Sequence, residues 1–345
     1  MMNLEDYDYN LPKEKIAQYP EQRREYSKLM IIEKNSIKHK IFYKIVDEIN
    51  EGDVIVVNNS KVVASNLKGQ KETGGKIECL FLREIDPGKS LWECLIKGRR
   101  LRSGTKIRFL NNQLIGKIIN WKQFGEFLIE FTSNEPIKDI LRANADITLP
   151  PYIKTFQDDI TRYQTVYASV EGSIAAPTAG FHFTPNLIQK IKKKGARFIT
   201  LTLHVGYSTF MPLTNEILAG QEKIDPEYFS ISQPFSIENI ENCLQQGHRL
   251  IAVGTTTLKA LESAVDTKGE ITRVEGWSDV FIAPGYRFKS GVSQMITNFH
   301  MPKSSPLLMV CAFAGKERIL HAYQEAISKN YRFYSFGDAM FVDKE

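Results

Sequence analysis

Three histidines lie in segments rich in glycine, proline and aromatic residues, where a ring could reach a substrate. They are His182 in Phe-His-Phe, His204 in Leu-His-Val-Gly and His300 in Asn-Phe-His-Met-Pro. Because histidine titrates near neutral pH, three such residues bounding one domain favour proton transfer. A single histidine of this kind is more often hydrogen-bonded and partly buried, and that interpretation stays open for each. The sequence has no H-E-x-x-H motif and no Cys/His cluster, so we expect no metal site.

The segment Ala175–Thr184 places one of these histidines directly before a helix. Thr184 suits an N-cap and Pro185 the first helical position. Free backbone N–H groups at such a helix start favour a carboxylate or phosphate. Gly254-Thr255-Thr256-Thr257 offers a similar start with hydroxyls for a sugar, although this turn is also an ordinary strand-to-helix connection.

Two basic runs could contact a phosphate backbone. The run from Lys97 to Arg108 contains no acidic residue, and Lys190 to Arg197 is also strongly basic. Uncompensated basic residues are what nucleic acid binding requires, although most charge runs are simply solvated surface. The predicted RNA-binding residues are Lys97, Arg99, Arg100, Arg102, Lys106 and Arg108. The sequence has no G-x-S-x-G motif and no acidic cluster with metal spacing, which argues against a hydrolase or nuclease.

The overall composition is that of an ordinary globular protein. The 345 residues suggest about two domains, and the net charge of +5 is compatible with a polyanion partner. The 4 cysteines are far apart and the N-terminus does not resemble a signal peptide, so we expect a reduced, cytoplasmic protein. No apolar run approaches the roughly 20 residues that span a bilayer, so we expect no membrane insertion.

The periodicity of the chain predicts two kinds of domain. Short β-rich runs separated by turn signals fill residues 58–150, which predicts an inserted small all-β barrel. Residues 1–57 and 151–345 together predict a discontinuous α/β domain with a mostly parallel sheet and flanking helices. Within it we expect strands at 28–33, 53–57, 198–203, 249–253, 279–282 and 331–336, and helices at 42–49, 185–194, 237–246, 257–265, 306–313 and 316–329.

Ligands of open α/β sheets bind beyond the carboxyl ends of the strands. Under this rule four loops are expected to converge on one crevice. They are His204–Gly206, Gly254–Thr257, Ala283–Arg287 and Gly337-Asp338.

The same segments resemble the S-adenosylmethionine:tRNA ribosyltransferase-isomerase family of queuosine biosynthesis. The resemblance covers nearly the whole chain and rests on long motifs in the same order. They are Leu11–Pro20, Lys71–Lys76, Arg162–Ala168, Ala175–Thr184, Thr202–Gly206, Ala252–Thr256, Pro284–Phe288, Thr297–Ser304, Tyr331–Phe333 and Gly337–Met340. The family's fold, an α/β domain with an inserted β-barrel, agrees with the division above.

The resemblance implies a reaction in which S-adenosylmethionine donates its ribosyl group. The acceptor is the 7-aminomethyl-7-deazaguanine base at the wobble position of tRNA, and the product is epoxyqueuosine, with adenine and methionine released. S-adenosylmethionine is consumed as a substrate, so no cofactor is expected. The expected partners are therefore S-adenosylmethionine and tRNA, with no membrane and with the protein a monomer.

This chemistry needs a base beside the sulfonium and an acid for departing adenine. The resemblance makes His182, His204 and His300 the candidates, with Asp338 to orient one of them. A sulfonium favours aromatic faces, and the sugar, carboxylate and phosphate need polar partners. The implied substrate-binding residues are Thr178, Phe181, Phe183, Thr184, Thr255, Thr256, Tyr286, Arg287, Asn298, Phe299 and Lys303.

The chain departs from the family pattern at three places. Glu222-Lys223-Ile224-Asp225-Pro226-Glu227 replaces a His-x-Met-His-Ser-Glu element and lacks both of its histidines. Asn58-Asn59-Ser60-Lys61 stands for Asn-Asp-Thr-Arg, and Asn66 for an arginine. These departures leave open a divergent paralogue that binds S-adenosylmethionine or RNA without this reaction, or acts on another acceptor, including a free base.

Overall fold

The computed structural model describes residues 2–122, 125–156, 159–210, 213–220, 225–231 and 233–345. The chain forms two compact units, one of Met1–Lys61 with Pro150–Glu345 and one of Val62–Leu149. The strands are β1 (Lys28–Ile32), β2 (Ile37–Ile41), β3 (Val54–Asn58), β4 (Ser60–Val62), β5 (Asn66–Lys71), β6 (Lys76–Asp86), β7 (Leu91–Lys97), β8 (Lys106–Phe109), β9 (Leu114–Trp121), β10 (Glu126–Ser133), β11 (Val170–Ser173), β12 (Arg197–Leu203), β13 (Glu227–Ser230), β14 (Leu250–Val253), β15 (Glu275–Ser278), β16 (Val292–Asn298) and β17 (Ala339–Asp343). The helices are α1 (Ile45–Glu48), α2 (Ile137–Asn144), α3 (Pro185–Lys193), α4 (Asn215–Leu218), α5 (Pro234–Gln245), α6 (Thr255–Ala264), α7 (Ser305–Ala314) and α8 (Lys316–Ser328).

The larger unit is built on a nine-stranded sheet in the order β15-β13-β12-β3-β14-β16-β17-β1-β2. The four central strands all run parallel to one another; they are β12, β3, β14 and β16. Strand β17 runs antiparallel to β16 and parallel to β1. The predicted α/β class is confirmed, with the parallel strands at the centre and antiparallel pairings towards both edges.

Burial on both faces explains why the central strands are continuous apolar runs. Along β3, Val54 and Val56 belong to one hydrophobic cluster, whereas Ile55 and Val57 belong to another. Successive side chains of a strand point to opposite faces, so the sheet separates two cores. Each of these four side chains is fully buried and contributes on the order of 1.5–3 kcal/mol.

Helix starts follow the expected capping chemistry. Thr184 caps α3 by accepting a hydrogen bond from the Leu187 N–H at 3.1 Å, and Pro185 is the first helical residue. Ser304 caps α7 in the same way through the Leu307 N–H. Between α7 and α8, Gly315 has φ of 85° and breaks the helix, as expected.

The smaller unit is a closed six-stranded antiparallel barrel in the order β10-β7-β6-β5-β8-β9. The predicted barrel is therefore confirmed. Its interior is filled by aromatic rings, with Phe81 and Phe131 stacked at 4.8 Å between centroids. Strand β5 and helix α2 were not predicted, because Leu67 is the only large apolar side chain of β5 and α2 is only two turns long.

Two predicted strands are wrong. Residues 279–282 form no strand, and residues 331–336 make only an isolated bridge between Phe333 and Ile16. The aromatic rings of the second run pack on Phe299 instead, with centroids at 5.5 Å for Tyr331 and 4.9 Å for Phe333. The sheet uses β16 and β17 in their place.

Candidate active site

Four neighbouring parallel strands end side by side at one edge of the large sheet. Strands β12, β3, β14 and β16 end at Leu203, Asn58, Val253 and Asn298. Polar loops follow β12, β14 and β16, as the rule for α/β sheets requires. The amino ends of β17 and β1 lie at the same edge, because β17 is antiparallel to β16.

A cleft with about 730 Å³ of empty space, part of it open to solvent, lies at this edge. It is bordered by the Ala175–Thr184 segment, the start of α6 and the loop after β16. Six of the predicted substrate-binding or catalytic residues line it: Thr178, Thr255, Thr256, Asn298, Phe299 and His300. The other predicted residues lie elsewhere.

Asn58 connects the strand ends below the cleft. Its side chain accepts a hydrogen bond from the Leu203 N–H at 3.0 Å and donates to the Leu203 carbonyl at 2.9 Å. It also donates to the Thr256 hydroxyl at 3.3 Å. The side chain is fully buried and was not predicted as a site residue, although a polar residue ending an apolar strand is a recognisable signal.

The start of α6 presents free backbone N–H groups to the cleft. Gly254 has φ of 92° and offers no side-chain cap, while Thr255 and Thr256 line the cleft. A helix start of this kind favours an anion. By contrast, Thr184 already caps α3, and its hydroxyl donates to the Glu25 carboxylate. The anion-binding helix start predicted at Thr184 is therefore better placed at Gly254.

His300 is the histidine that lines the cleft. Its Nε2 lies 3.0 Å from the Thr297 hydroxyl, and its backbone N–H donates to the Tyr323 hydroxyl at 2.9 Å. Burial lowers the pKa of His300 to about 3. The ring is therefore neutral near pH 7.

His182 lies behind the cleft, in a neighbouring cavity. Its Nδ1 is 2.7 Å from the Ser27 hydroxyl, and its Nε2 is buried. Burial, and then the positive charge of Arg332, lower the pKa of His182 to about 3, against a smaller opposing effect of the Asn298 side chain. This ring too is neutral near pH 7.

His204 is not in the lining of either cavity. Its Nδ1 is 2.7 Å from the Ser60 hydroxyl, and its ring stacks on Tyr228 with centroids 5.8 Å apart. Burial lowers the pKa of His204. Gly172 packs against the ring so closely that a Cβ there would lie 2.7 Å from it. The three histidines therefore do not share one cavity.

Asp338 was predicted to orient a histidine, but its carboxylate binds backbone N–H groups. Its two carboxylate oxygens accept hydrogen bonds from the backbone N–H groups of Lys28 and Arg332, both at 2.8 Å. Burial raises the pKa of Asp338. Within the described part of the chain it bonds to no histidine, so it joins β1 and β17 at the site edge instead.

Three of the four aromatic rings predicted as substrate contacts lie outside the lining of the cleft. Phe183 is fully buried in the core beneath the sheet, and Phe181 packs against Tyr163 and Phe336 outside the cleft. Only Phe299 of the four predicted rings borders the cleft within the described residues. The position of the other rings depends on side-chain packing, which the motif alone does not show.

The rings that border the cleft with Phe299 were not predicted. They are Tyr152, Tyr163 and Tyr334, and Tyr152 donates or accepts a hydrogen bond with Ser335 at 2.6 Å. Tyr334 has φ of 71°, a strained conformation for a bulky residue that is common at functional sites. A non-glycine residue with positive φ cannot be recognised from sequence.

Three predicted polar contacts have other partners or lie outside the cleft. Lys303 forms ion pairs with Glu5 at 2.7 Å and Asp8 at 2.8 Å, which leaves it a poor partner for a substrate anion. The Tyr286 hydroxyl donates to the buried Glu262 carboxylate at 3.1 Å, and Arg287 is exposed outside the cleft lining. Tyr286 and Arg287 were predicted to follow a strand at residues 279–282, and these residues form no strand.

The basic run of the barrel unit is exposed, and carboxylates pair with some of its basic side chains but not with all of them. Lys97 pairs with Glu78 at 3.6 Å, while Lys106 and Arg108 both approach Glu72, at 3.9 and 3.5 Å. These carboxylates come from β6 and the turn before it, so the run's own sequence does not reveal them. Three exposed arginines form no ion pair with any described residue: Arg99, Arg100 and Arg102.

The replaced family element lies largely outside the described residues, since Glu222, Lys223 and Ile224 are among those not described. Asp225 is exposed. Glu227, which keeps the glutamate of the family pattern, is buried. It accepts from the Gly206 N–H at 2.9 Å and pairs with Lys259 at 2.9 Å. It therefore anchors the loop after β12.

No group of three or more His, Cys, Asp or Glu side chains among the described residues is arranged to hold a metal ion. No helix in that part of the chain is both long and apolar enough to cross a membrane.

Known proteins similar to this chain share its whole length. The family described as "Queuosine biosynthesis protein" matches residues 4–342. Proteins named S-adenosylmethionine:tRNA ribosyltransferase-isomerase from Desulforamulus reducens and Clostridioides difficile are 43% and 42% identical over 345 residues, covering 99% of this chain and 100% of each relative.

A solved structure is also similar. The crystal structure of S-adenosylmethionine tRNA ribosyltransferase from Thermotoga maritima is 30% identical, has a TM-score of 0.55, and covers 97% of this chain and 99% of its own. The match of family, relatives and fold extends over both units. The chain therefore belongs to the queuosine biosynthesis family of S-adenosylmethionine:tRNA ribosyltransferase-isomerases.

Proposed function

We propose that the cleft at the carboxyl ends of β12, β3, β14 and β16 is where S-adenosylmethionine binds and reacts. The protein transfers the ribosyl moiety of S-adenosylmethionine to the 7-aminomethyl-7-deazaguanine base of tRNA and isomerises it, giving epoxyqueuosine, adenine and methionine. The observation that carries this proposal is that family motifs from distant parts of the chain meet in one cleft. The full-length relatives favour this function over a paralogue without the reaction.

The start of α6 is suited to the carboxylate of the methionine part. Its backbone N–H groups after Gly254 are uncapped, and the Thr255 and Thr256 hydroxyls lie beside them. The helix dipole and these donors together stabilise a negative group. The sulfonium then has the faces of Tyr152, Tyr334 and Phe299 available, since a cation is attracted to an aromatic face.

His300 is our candidate for the proton acceptor at the carbon beside the sulfonium. It lines the cleft, it is neutral near pH 7, and its Nε2 is oriented by the Thr297 hydroxyl. A neutral imidazole that has taken this proton becomes a strong acid, because burial disfavours its charged form. It could then return the proton to departing adenine. His182 is the second candidate, since its buried Nε2 lies close to Asn298 in the cleft wall.

The reaction needs no further group in this proposal, because S-adenosylmethionine is the activated donor. The absence of a cofactor, the monomeric state and a cytoplasmic location stay predictions. Incubation with S-adenosylmethionine and tRNA carrying the precursor base is expected to release adenine and methionine in equal amounts. S-adenosylmethionine binding without adenine release would instead support the non-catalytic paralogue.

A further inference from the structure

A second, smaller cavity with about 250 Å³ of empty space adjoins the cleft. We call it the arginine pocket; its polar lining residues are Glu21, Arg24, Ser27, Arg162, His182 and Ser335. Ser335 also lines the cleft, so the two cavities share a wall. The pocket lies where β1 and β17 begin, at the same sheet edge.

The two arginines of this pocket lie beside one carboxylate of its lining, Glu21, which belongs to another ion pair. Arg24 is partly buried; its guanidinium donates long hydrogen bonds to the carbonyls of Phe181 at 3.3 Å and Arg162 at 3.5 Å and lies over the Phe181 ring, 5.7 Å from its centroid. Burial, and then the charge of Arg162, lower the pKa of Arg24 to about 10. No carboxylate of the described residues forms an ion pair with Arg24 or Arg162, and the nearby Glu21 pairs with Arg332 at 3.2 Å.

Arg162 has a buried donor without a partner among the described residues. It donates through Nη2 to the Glu21 carbonyl at 2.6 Å, but its Nε–H is buried and unbonded. His182 Nε2 is also buried, but it lies beside the Asn298 side chain, which acts on the ring through a hydrogen bond. A buried, unsatisfied donor of a cation is costly unless a ligand satisfies it.

We propose that the arginine pocket binds a phosphodiester group of the substrate RNA, next to the nucleotide that enters the cleft. The proposal rests on the proposed function, which makes RNA a substrate. A guanidinium offers the paired donors that phosphate oxygens accept. The bound phosphate would supply a counter-charge to Arg24, which has no ion pair with a described carboxylate, and would accept from the buried Arg162 Nε–H.

The test compares Arg24→Gln with Arg23→Gln. Arg23 is the adjacent residue, is exposed, and lies over the Tyr26 ring at 5.4 Å, so the two variants lose the same charge at nearly the same place in the chain. We expect Arg24→Gln to raise the Kd for precursor tRNA about tenfold and Arg23→Gln to raise it less than about twofold. Filter binding at several salt concentrations should give a slope lower by about one for Arg24→Gln. Arg24→Lys keeps the charge but loses the paired donors of the guanidinium, so its Kd for precursor tRNA should lie between those of the wild type and Arg24→Gln.

Two further measurements identify the anion and the role of Arg24. The Kd for S-adenosylmethionine, measured by calorimetry, should be unchanged in Arg24→Gln; a loss there with normal tRNA binding would assign the pocket to a carboxylate and overturn the proposal. Urea unfolding should show Arg24→Gln as stable as the wild type or more stable, since an unpaired buried charge is removed. A destabilised variant would make Arg24 structural, and equal effects of Arg23→Gln and Arg24→Gln would reduce the pocket to general surface charge.

The outcome for the pocket is separable from the outcome for the reaction, because binding is measured without turnover. A wild-type protein that binds precursor tRNA but releases no adenine contradicts the proposed function and leaves the comparison of the two variants decisive for the pocket. Wild-type protein that binds no tRNA overturns both. Inorganic phosphate should also raise the unfolding midpoint of the wild type more than that of Arg24→Gln.

Discussion

Acid should destabilise the larger unit through His182, and replacing this residue should weaken that dependence. The folded pKa of His182 is about 3, whereas an unfolded histidine titrates near 6.5. Above pH 6.5 the ring is neutral in both states. As the pH falls towards 3, the unfolded chain binds a proton that the folded chain does not, so the free energy of unfolding falls.

The size of this effect follows from the two pKa values. Between pH 6 and pH 5 one such histidine should remove about 1.2 kcal/mol from the free energy of unfolding. Between pH 6 and pH 5 the free energy of unfolding of His182→Gln should therefore fall by about 1.2 kcal/mol less than that of the wild type, whatever the stability of the variant at pH 7. His321→Gln, on the exposed face of α8, is the matched control and should behave as the wild type.

Urea unfolding followed by circular dichroism at 222 nm is the suitable assay, because every described helix except α2 lies in the unit that contains His182. Each variant is unfolded at pH 5, 6 and 7, and the difference between variants is taken at each pH. Equal pH dependence in His182→Gln and the wild type would show that the ring is already charged or solvated in the folded state. The account of His182 as a buried neutral group would then be refuted.

Three further outcomes are expected. His300→Gln should lower the rate of adenine release at saturating substrate by about 10²-fold or more while changing the Kd for S-adenosylmethionine less than about threefold, and a wild-type rate would remove it from the catalytic residues. Gly254→Ala should cost about 1–3 kcal/mol in urea unfolding, because φ is 92° there, and an unchanged midpoint would contradict the strain. Charge reversal at Arg99, Arg100 and Arg102 should weaken tRNA binding and lower its salt slope by about one per residue, whereas an unchanged slope would make this run solvated surface.

Much of the fold could be read from local chemistry. The capped start of α3 at Thr184, the break at Gly315 and the apolar run of β3 all depend on neighbouring residues, and each was predicted. The barrel was predicted because its strands alternate and are separated by turn residues. Strands β16 and β17 were missed, since their pairing partners are distant in the chain and their own pattern is weak.

The candidate site shows the same division. Thr255 and Thr256 were predicted because they follow β14, whose end could be located, whereas His300 was predicted from its residue type and its aromatic and proline-containing segment. Lys303 was predicted as a substrate contact and is paired with Glu5 and Asp8, which are some 300 positions away along the chain. Such partners are chosen by packing, so a side chain's availability cannot be judged from its own segment.

The sequence by itself determined the family, the two kinds of domain and the segments that meet at the site. Its long ordered motifs and local capping signals carry that information. Only the tertiary structure decided that His300 faces the cleft, that His182 lies in the arginine pocket and that His204 faces neither. The physical reason is the reversal of β17 and β1 relative to β16, which brings the segments before those two strands to the edge where the parallel strands end.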